Sequence, residues 1–469
     1  MDFYDSILRY SERAAIITED GTEITYKELA ETADEIAAPV AARSLVFLVC
    51  ENCFEAIAAY VGFLRKRAVT ALVNPKIDGD MLRRLLESYK PQYIFCPRGR
   101  HDCGEEAAAF GAYHLLRTQN SAPPAMNPEL AVLITTSGST GSPKLVMQSY
   151  KNINANARSI AQYLGIREDD RAITTMPMSY TYGLSIIQSH LLKGAAIITT
   201  EKTLMDKAFW ALLKEHKATT FGGVPYIYEM LKRLRFGTME LPSLRYITQA
   251  GGKLSRELAL EFSEICRGKG MKLIIMYGQT EATARMAYLP WEHAFDKAGS
   301  MGIPIPGGRM KLIDVNGAEI TEPDVTGELV YEGDNVTLGY AQCAADLANP
   351  DARHGVLYTG DMAKRDADGF YTIVGRKKRF LKLFGNRVNL DEAESILNGA
   401  GIRCVCGGRD DLMKLYIVGA DGEAKKRAVD FISEKLGLNR SAFSAVTIDE
   451  IPRSESGKVL YSRLEELYG

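Results

Sequence analysis

Ala131-Val132-Leu133-Ile134-Thr135-Thr136-Ser137-Gly138-Ser139-Thr140-Gly141-Ser142-Pro143-Lys144 joins a short apolar run to a loop of glycine, hydroxyl residues and one lysine. The apolar half predicts a strand. The second half predicts an anion cradle, because glycines let backbone N–H groups turn inward, hydroxyls add donors and Lys144 adds a positive charge. The order G-x-x-G-x-x-K, with no hydroxyl after the lysine, is not the Walker A order G-x-x-x-x-G-K-[ST], so P-loop placement of Mg²⁺ is not expected. Thr136, Ser137, Gly138, Ser139, Thr140, Gly141 and Lys144 are the candidate phosphate-binding residues.

On either side, short apolar runs alternate with helix-like stretches. The runs are Leu45 to Cys50, Tyr93 to Cys96, Ala131 to Thr136, Ala172 to Thr175, Ala196 to Thr200, Arg245 to Thr248 and Lys272 to Met276. Helices are predicted over Asn152 to Leu164, Met205 to His216, Pro225 to Arg235 and Ser255 to Arg267, the last with Ser255 as N-cap. Alternation of this kind means an α/β fold with a largely parallel sheet. After about residue 300 the texture turns to short strands punctuated by Gly and Asp, and the basic stretch Gly375 to Lys382 then reads as a linker to a small separate domain.

A chain of 469 residues is too long for one ordinary core, so two or more domains are expected. Its net charge of -2 gives no global attraction to nucleic acid or to an anionic membrane. No apolar run approaches the ~20 residues that span a bilayer, and the start Met1-Asp2-Phe3-Tyr4-Asp5 lacks the pattern of a secretory signal, so a cytoplasmic location is expected. Cys50-x-x-Cys53 has no second ligand pair at zinc spacing and reads as two partly buried thiols.

Four further segments accompany the loop in order. Tyr277-Gly278-Gln279-Thr280-Glu281 follows a predicted strand; Tyr358-Thr359-Gly360-Asp361 lies in the β-rich part; Gly375-Arg376 opens the linker; and Pro452-Arg453-Ser454-Glu455-Ser456-Gly457-Lys458 stands near the end. This set resembles the adenylate-forming superfamily of acyl- and aryl-CoA synthetases, luciferase and nonribosomal peptide synthetase adenylation domains. The likeness runs from Ile24-Thr25-Tyr26-Lys27-Glu28-Leu29 to Lys458. It implies a large N-terminal domain of layered αβαβα subdomains with a β-rich subdomain, residues 1–376, and a small mobile α+β C-terminal domain, residues 377–469.

The resemblance also implies an ATP-dependent, AMP-forming acid–thiol ligase. A carboxylate is joined to the α-phosphate of ATP, pyrophosphate leaves, and the acyl group passes to the thiol of coenzyme A. The alternatives are a stand-alone enzyme that loads the phosphopantetheine of a carrier protein, or a catalytically silent nucleotide-binding homologue. Two unit negative charges ~4 Å apart repel by about 4 kcal/mol at an effective dielectric of ~20, so cations are needed where the two anions meet. Lys458 matches the family lysine that bridges carboxylate and nucleotide. Glu281 matches the Mg²⁺ ligand, Thr280 a donor to the α-phosphate, Asp361 the acceptor of the ribose hydroxyls and Arg376 a ribose or phosphate contact. Tyr277 and Gly278 on one side and Ala250-Gly251-Gly252 on the other match the adenine slot; Lys378 matches the hinge, and Arg387 a position that assists catalysis.

Three positions depart from the family pattern. Tyr180 and Tyr150 stand where histidine is frequent, and Arg379 where aspartate is. Tyr180, Tyr182, Gly222, Val224 and Gly251 are the expected acyl-pocket residues. Adenylation domains of the family that take α-amino acids place an aspartate in the Tyr180 region to pair with the substrate ammonium; no acidic residue lies between Arg171 and Glu201, so the resemblance implies an acid with no α-amino group, fatty, short acyl or aryl.

Overall fold

The computed structural model describes residues 2–100, 104–135, 144–377, 379–453 and 459–468, and of Arg387 and Ser462 the backbone. The chain forms two compact units, Met1–Arg309 with Glu332–Leu357, and Met310–Tyr331 with Tyr358–Gly469. The β-rich residues 310–331 and 358–376 thus group with the C-terminal part. Compactness does not locate a hinge, so the boundary expected at residue 376 remains a proposal.

Strands covered on both faces read as unbroken apolar runs, and Leu45–Val49 and Val69–Val73 are buried at every position. They belong to an eight-stranded sheet that runs Gly339–Ala341, Leu145–Ser149, Leu130–Thr135, Val69–Val73, Leu45–Val49, Tyr93–Pro97, Tyr113–Arg117, Glu105–Phe110. Its middle pairs are parallel and its outer pairs antiparallel. A nine-stranded sheet has parallel strands Lys272–Tyr277, Tyr246–Gln249, Thr220–Gly223, Arg171–Ile173, Ala196–Ile198 and Ala14–Ile17 at its centre, with antiparallel edges.

The helices Phe54–Arg65 and Thr181–Leu192 are buried almost all round, the mark of a helix covered from both sides. They share one core with Val46, Leu48 and Ile134 from the first sheet and Ile16, Ala172 and Ile197 from the second. The first unit is therefore the layered α/β structure expected. The predicted strands and helices match the observed ones to within two residues, and Ser255 caps its helix by accepting the Leu258 N–H at 3.2 Å.

In the second unit, Glu319–Ile320, Gly308–Ile313, Gly327–Gly333, Val356–Arg365 and Tyr371–Arg376 form a five-stranded sheet. A hairpin of Phe380–Leu383 with Asn386–Asn389 follows, then three strands, Cys404–Arg409, Leu412–Val418 and Phe443–Ile448, packed with the helices Leu390–Gly399 and Gly422–Leu436. No helix among the described residues is long and apolar enough to cross a membrane. Cys50 and Cys53 are free thiols, and burial pushes Cys53 up to about 12.

Candidate active site

The register Gly223↔Gln249↔Ile275 aligns the carboxyl ends of three parallel strands. The residues that follow, Val224, Ala250-Gly251-Gly252 and Tyr277 to Glu281, converge on one edge, where open α/β sheets bind ligands. Gly251 has φ +82°, and a Cβ there would lie 2.8 Å from the Tyr180 hydroxyl and 2.9 Å from Val224 Cγ1. Only glycine fits that turn and that closeness. The buried Gln249 amide donates to the carbonyls of Gly252 (2.9 Å) and Ala250 (3.2 Å), which holds the short backbone wall in place.

Gly278 lets the next segment fold back on itself: a Cβ there would come within 1.8 Å of the Ala284 carbonyl oxygen. The 3₁₀ turn Thr280–Ala282 that carries Glu281 is clamped from residues 335–337. The Glu281 carbonyl accepts the Thr337 N–H at 3.0 Å and the Thr337 hydroxyl at 2.9 Å. The Asn335 amide donates to the carbonyls of Ala282 and Arg285, both at 2.9 Å. The same stretch continues into the edge strand Gly339–Ala341, which pairs Tyr340 with Val146 beside the phosphate loop.

Tyr340 is the junction this pairing creates. Its hydroxyl donates to Glu281 Oε1 at 2.7 Å, and the Lys144 ammonium stands 3.4 Å from its ring centroid. The Arg353 guanidinium lies 4.6 Å from the same centroid and donates to the Thr337 hydroxyl. Burial, reinforced by the Glu281 charge, pushes the Tyr340 phenol well above its ordinary value, so it stays a neutral donor. One aromatic ring therefore holds the Lys144 ammonium and the Glu281 carboxylate in fixed relation.

Tyr182, expected in the acyl pocket, is 1% exposed, and Gly222 backs onto its hydroxyl. That hydroxyl donates to the Thr248 carbonyl at 2.8 Å, meets Thr248 Oγ1 at 2.9 Å and accepts the Gly223 N–H at 3.2 Å, which ties two strands together. The Arg285 guanidinium stands 4.0 Å over its ring. Tyr180 is the residue before the helix Thr181–Leu192, and its ring is edge-on to Tyr182 at 6.4 Å. Tyr150 packs in the core with Arg67 4.2 Å over its ring.

In the second unit Asp361 and Arg376 are register partners on adjacent strands, with Nε to Oδ1 at 2.9 Å. The Asp361 carboxylate is buried and its N–H donates to the Thr359 hydroxyl at 3.0 Å. Arg379 is explained by its surroundings: it pairs with Asp391 and with Glu394 (2.7 Å), donates to the Tyr461 hydroxyl (2.6 Å) and lies 3.8 Å over that ring. It thereby anchors the last helix, Tyr461–Tyr468.

Thr136 to Gly141, Lys378 and Lys458 lie outside the described residues, as does the Arg387 side chain. The backbone of Arg387 pairs with Lys382 in the hairpin turned by Phe384 and Gly385, and Arg453 forms an isolated antiparallel bridge with Val459. Sequence reasoning missed Tyr340, Arg353 and Arg285. Only Arg285 left a signal, as a lone charge in the apolar run Ala282 to Leu289.

The model of the AMP-binding enzyme family matches residues 3–341. The chain belongs to that family. The 2-succinylbenzoate–CoA ligase of Bacillus cereus is 30% identical over 352 residues, covering 72% of this chain and 70% of that protein. The 3-hydroxybenzoate–CoA ligase of Aromatoleum sp. is 26% identical over 457 residues, covering 90% and 86%. Among solved structures, the o-succinylbenzoate CoA synthetase of Bacillus subtilis with the acyl-adenylate OSB-AMP superposes with TM-score 0.81 at 24% identity, covering 99% and 98%. The anthranilate CoA ligase AuaEII with anthranoyl-AMP superposes at 0.79 and 20% identity, covering 100% and 97%. These two structures share the fold.

Residues of this AMP-binding enzyme fit a magnesium nucleotide. In the first unit Glu281 offers a hard oxygen donor, Lys144 a cation for phosphate and Gly251 a wall that a Cβ would fill. In the second unit, taken by itself, Asp361 offers two carboxylate oxygens, the number that two ribose hydroxyls need.

Proposed function

We propose that this protein activates an aromatic carboxylic acid with ATP, forming an acyl-adenylate and pyrophosphate, and transfers the acyl group to coenzyme A in the cytoplasm. The observation that carries the reading is the placement of Lys144 and Glu281 on one ring, Tyr340, at the carboxyl ends of the parallel strands. The names of the relatives, ligases for 2-succinylbenzoate and 3-hydroxybenzoate, support an aryl acid.

The acid lies against Tyr180 and Val224, with its carboxylate at the strand ends. Thr280 donates to the α-phosphate, and the phosphate loop with Lys144 holds the departing pyrophosphate. Magnesium held through Glu281 supplies divalent positive charge on the phosphates. Lys458 neutralises the approach of carboxylate oxygen to the α-phosphorus. The small domain, residues 377–469, then turns about Lys378, so that Lys458 leaves and the segment around Gly385 and Arg387 meets the thiol.

ATP–pyrophosphate exchange across a panel of aryl, fatty and α-amino acids tests the first step. Thioester formation with coenzyme A against purified carrier proteins tests the acceptor. Exchange with aryl acids and thioester on coenzyme A are expected. Exchange confined to α-amino acids, or none with any acid while ATP binds, would overturn the reading, and thioester on a carrier protein alone would replace the acceptor.

A further inference from the structure

The turn Asp351-Ala352-Arg353-His354-Gly355 is held by its own backbone. The Asp351 carboxylate accepts the N–H groups of Arg353 at 2.9 Å and of His354 at 3.0 Å, the local bonding that aspartate gives a turn. The Ala352 N–H donates to the Leu338 carbonyl at 2.8 Å, and the Gly355 carbonyl accepts the Gly333 N–H at 3.0 Å. The turn is thus tied on either side of residues 335–337, the stretch that clamps the Glu281 turn.

Arg353 is half-buried, and its guanidinium pairs with no carboxylate among the described residues. It donates to the Thr337 hydroxyl and stands 4.6 Å from the Tyr340 ring centroid. Those two side chains are the ones that hold Glu281. The Thr337 hydroxyl donates to the Glu281 carbonyl at 2.9 Å, and the Tyr340 hydroxyl donates to Oε1 at 2.7 Å. One guanidinium therefore reaches the backbone of the Glu281 turn through a threonine and its carboxylate through a tyrosine.

A hydroxyl that accepts a bond from a cation is polarised into a stronger donor, so the chain from Arg353 through Thr337 to Glu281 is strengthened along its length. A cation over the ring restricts Tyr340 to the orientation from which its hydroxyl meets Oε1. The planar fork of arginine serves both contacts at once, which a lysine point charge does not.

We infer that Arg353 is a positioning residue for magnesium binding: it locks the backbone and carboxylate supports of Glu281 into one unit, so that the carboxylate keeps the orientation a metal ligand needs. This rests on the role of Glu281 proposed above.

The test is calorimetric titration with α,β-methylene-ATP, an analogue that cannot release pyrophosphate, with and without Mg²⁺; it needs neither an acid nor turnover. The readout is the gain in affinity that Mg²⁺ confers. Arg353→Met is expected to shrink that gain ~10-fold or more, the usual effect of losing a group behind a metal ligand, and to leave metal-free binding close to wild type. Arg353→Lys should lose part of the gain, and it decides the matter if the methionine variant does not fold. In Thr337→Val/Tyr340→Phe, where both links are already broken, adding Arg353→Met should cost nothing further.

Equal weakening of metal-free and Mg²⁺-bound nucleotide would make Arg353 a direct phosphate contact and overturn the inference. So would a full gain in either single variant, a further large loss in the triple variant, or a wild-type protein to which Mg²⁺ adds no affinity. Pyrophosphate exchange with aryl acids separates these outcomes from the ligase reading. Exchange together with an unchanged gain removes the inference alone; a gain lost in Arg353→Met, with no exchange in wild type, removes the ligase reading alone.

Discussion

The Tyr340 hydroxyl donates to Glu281 Oε1 at 2.7 Å, from a ring whose centroid is 3.4 Å from the Lys144 ammonium. A carboxylate that accepts such a bond is held in one orientation, and orientation is what a metal ligand requires. Tyr340→Phe removes the donor and keeps the ring. The Mg²⁺ concentration for half-maximal pyrophosphate exchange is expected to rise ~10- to 100-fold, the usual effect of losing a group that positions a metal ligand. An unchanged Mg²⁺ dependence would show that the clamp of Thr337 and Asn335 on the Glu281 turn suffices alone.

Tyr182→Phe probes the strut between the strands Thr220–Gly223 and Tyr246–Gln249. Its ring under Arg285 is retained, and the Gly223 N–H and the Thr248 groups lose a partner inside the protein. A loss of about 1–3 kcal/mol is expected, read as a lower denaturation midpoint at unchanged m-value. No loss would mean that water replaces the hydroxyl.

His190 predicts a pH dependence. Burial lowers its folded pKa from the ordinary histidine value of about 6.5. Below that value the unfolded chain binds the proton that the folded chain refuses. The stability is therefore fully present above about pH 6.5 and is lost as pH falls toward the lowered value, with a slope of at most ~1.4 kcal/mol per pH unit. Urea titrations between pH 5 and 7.5 should show this fall, and His190→Gln should flatten it.

Lys458→Ala should cripple pyrophosphate exchange by ~10² to 10³, the size of effect seen on removing one transition-state contact. Thioester formation from supplied acyl-adenylate should suffer much less. Equal loss in both steps would contradict a lysine that leaves the site between them.

The α/β class and the helix and strand positions were legible because each rests on local pattern. Leu45 to Cys50 reads as a buried parallel strand from its unbroken apolar run, and Ser255 as a cap from its side chain alone. The Thr220–Gly223 strand was harder to see, since half of it is glycine, and only pairing with its neighbours on both sides makes it a strand. Arg379 looked like a broken motif position until Glu394, Asp391 and Tyr461 were brought around it.

The sequence by itself determined the family and the residues to which the proposed chemistry is assigned: an anion cradle ending at Lys144, a hard donor at Glu281, a ribose acceptor at Asp361 and a bridging cation at Lys458. Each was readable because function there demands a residue type inside a short fixed spacing. Only the tertiary structure decided that Tyr340, 59 residues from Glu281, joins that carboxylate to Lys144, and that Arg285 stands over the Tyr182 ring. Residues distant along the chain meet because an edge strand and a fold-back turn bring them together, and no local pattern records which side chains those pairings place in contact.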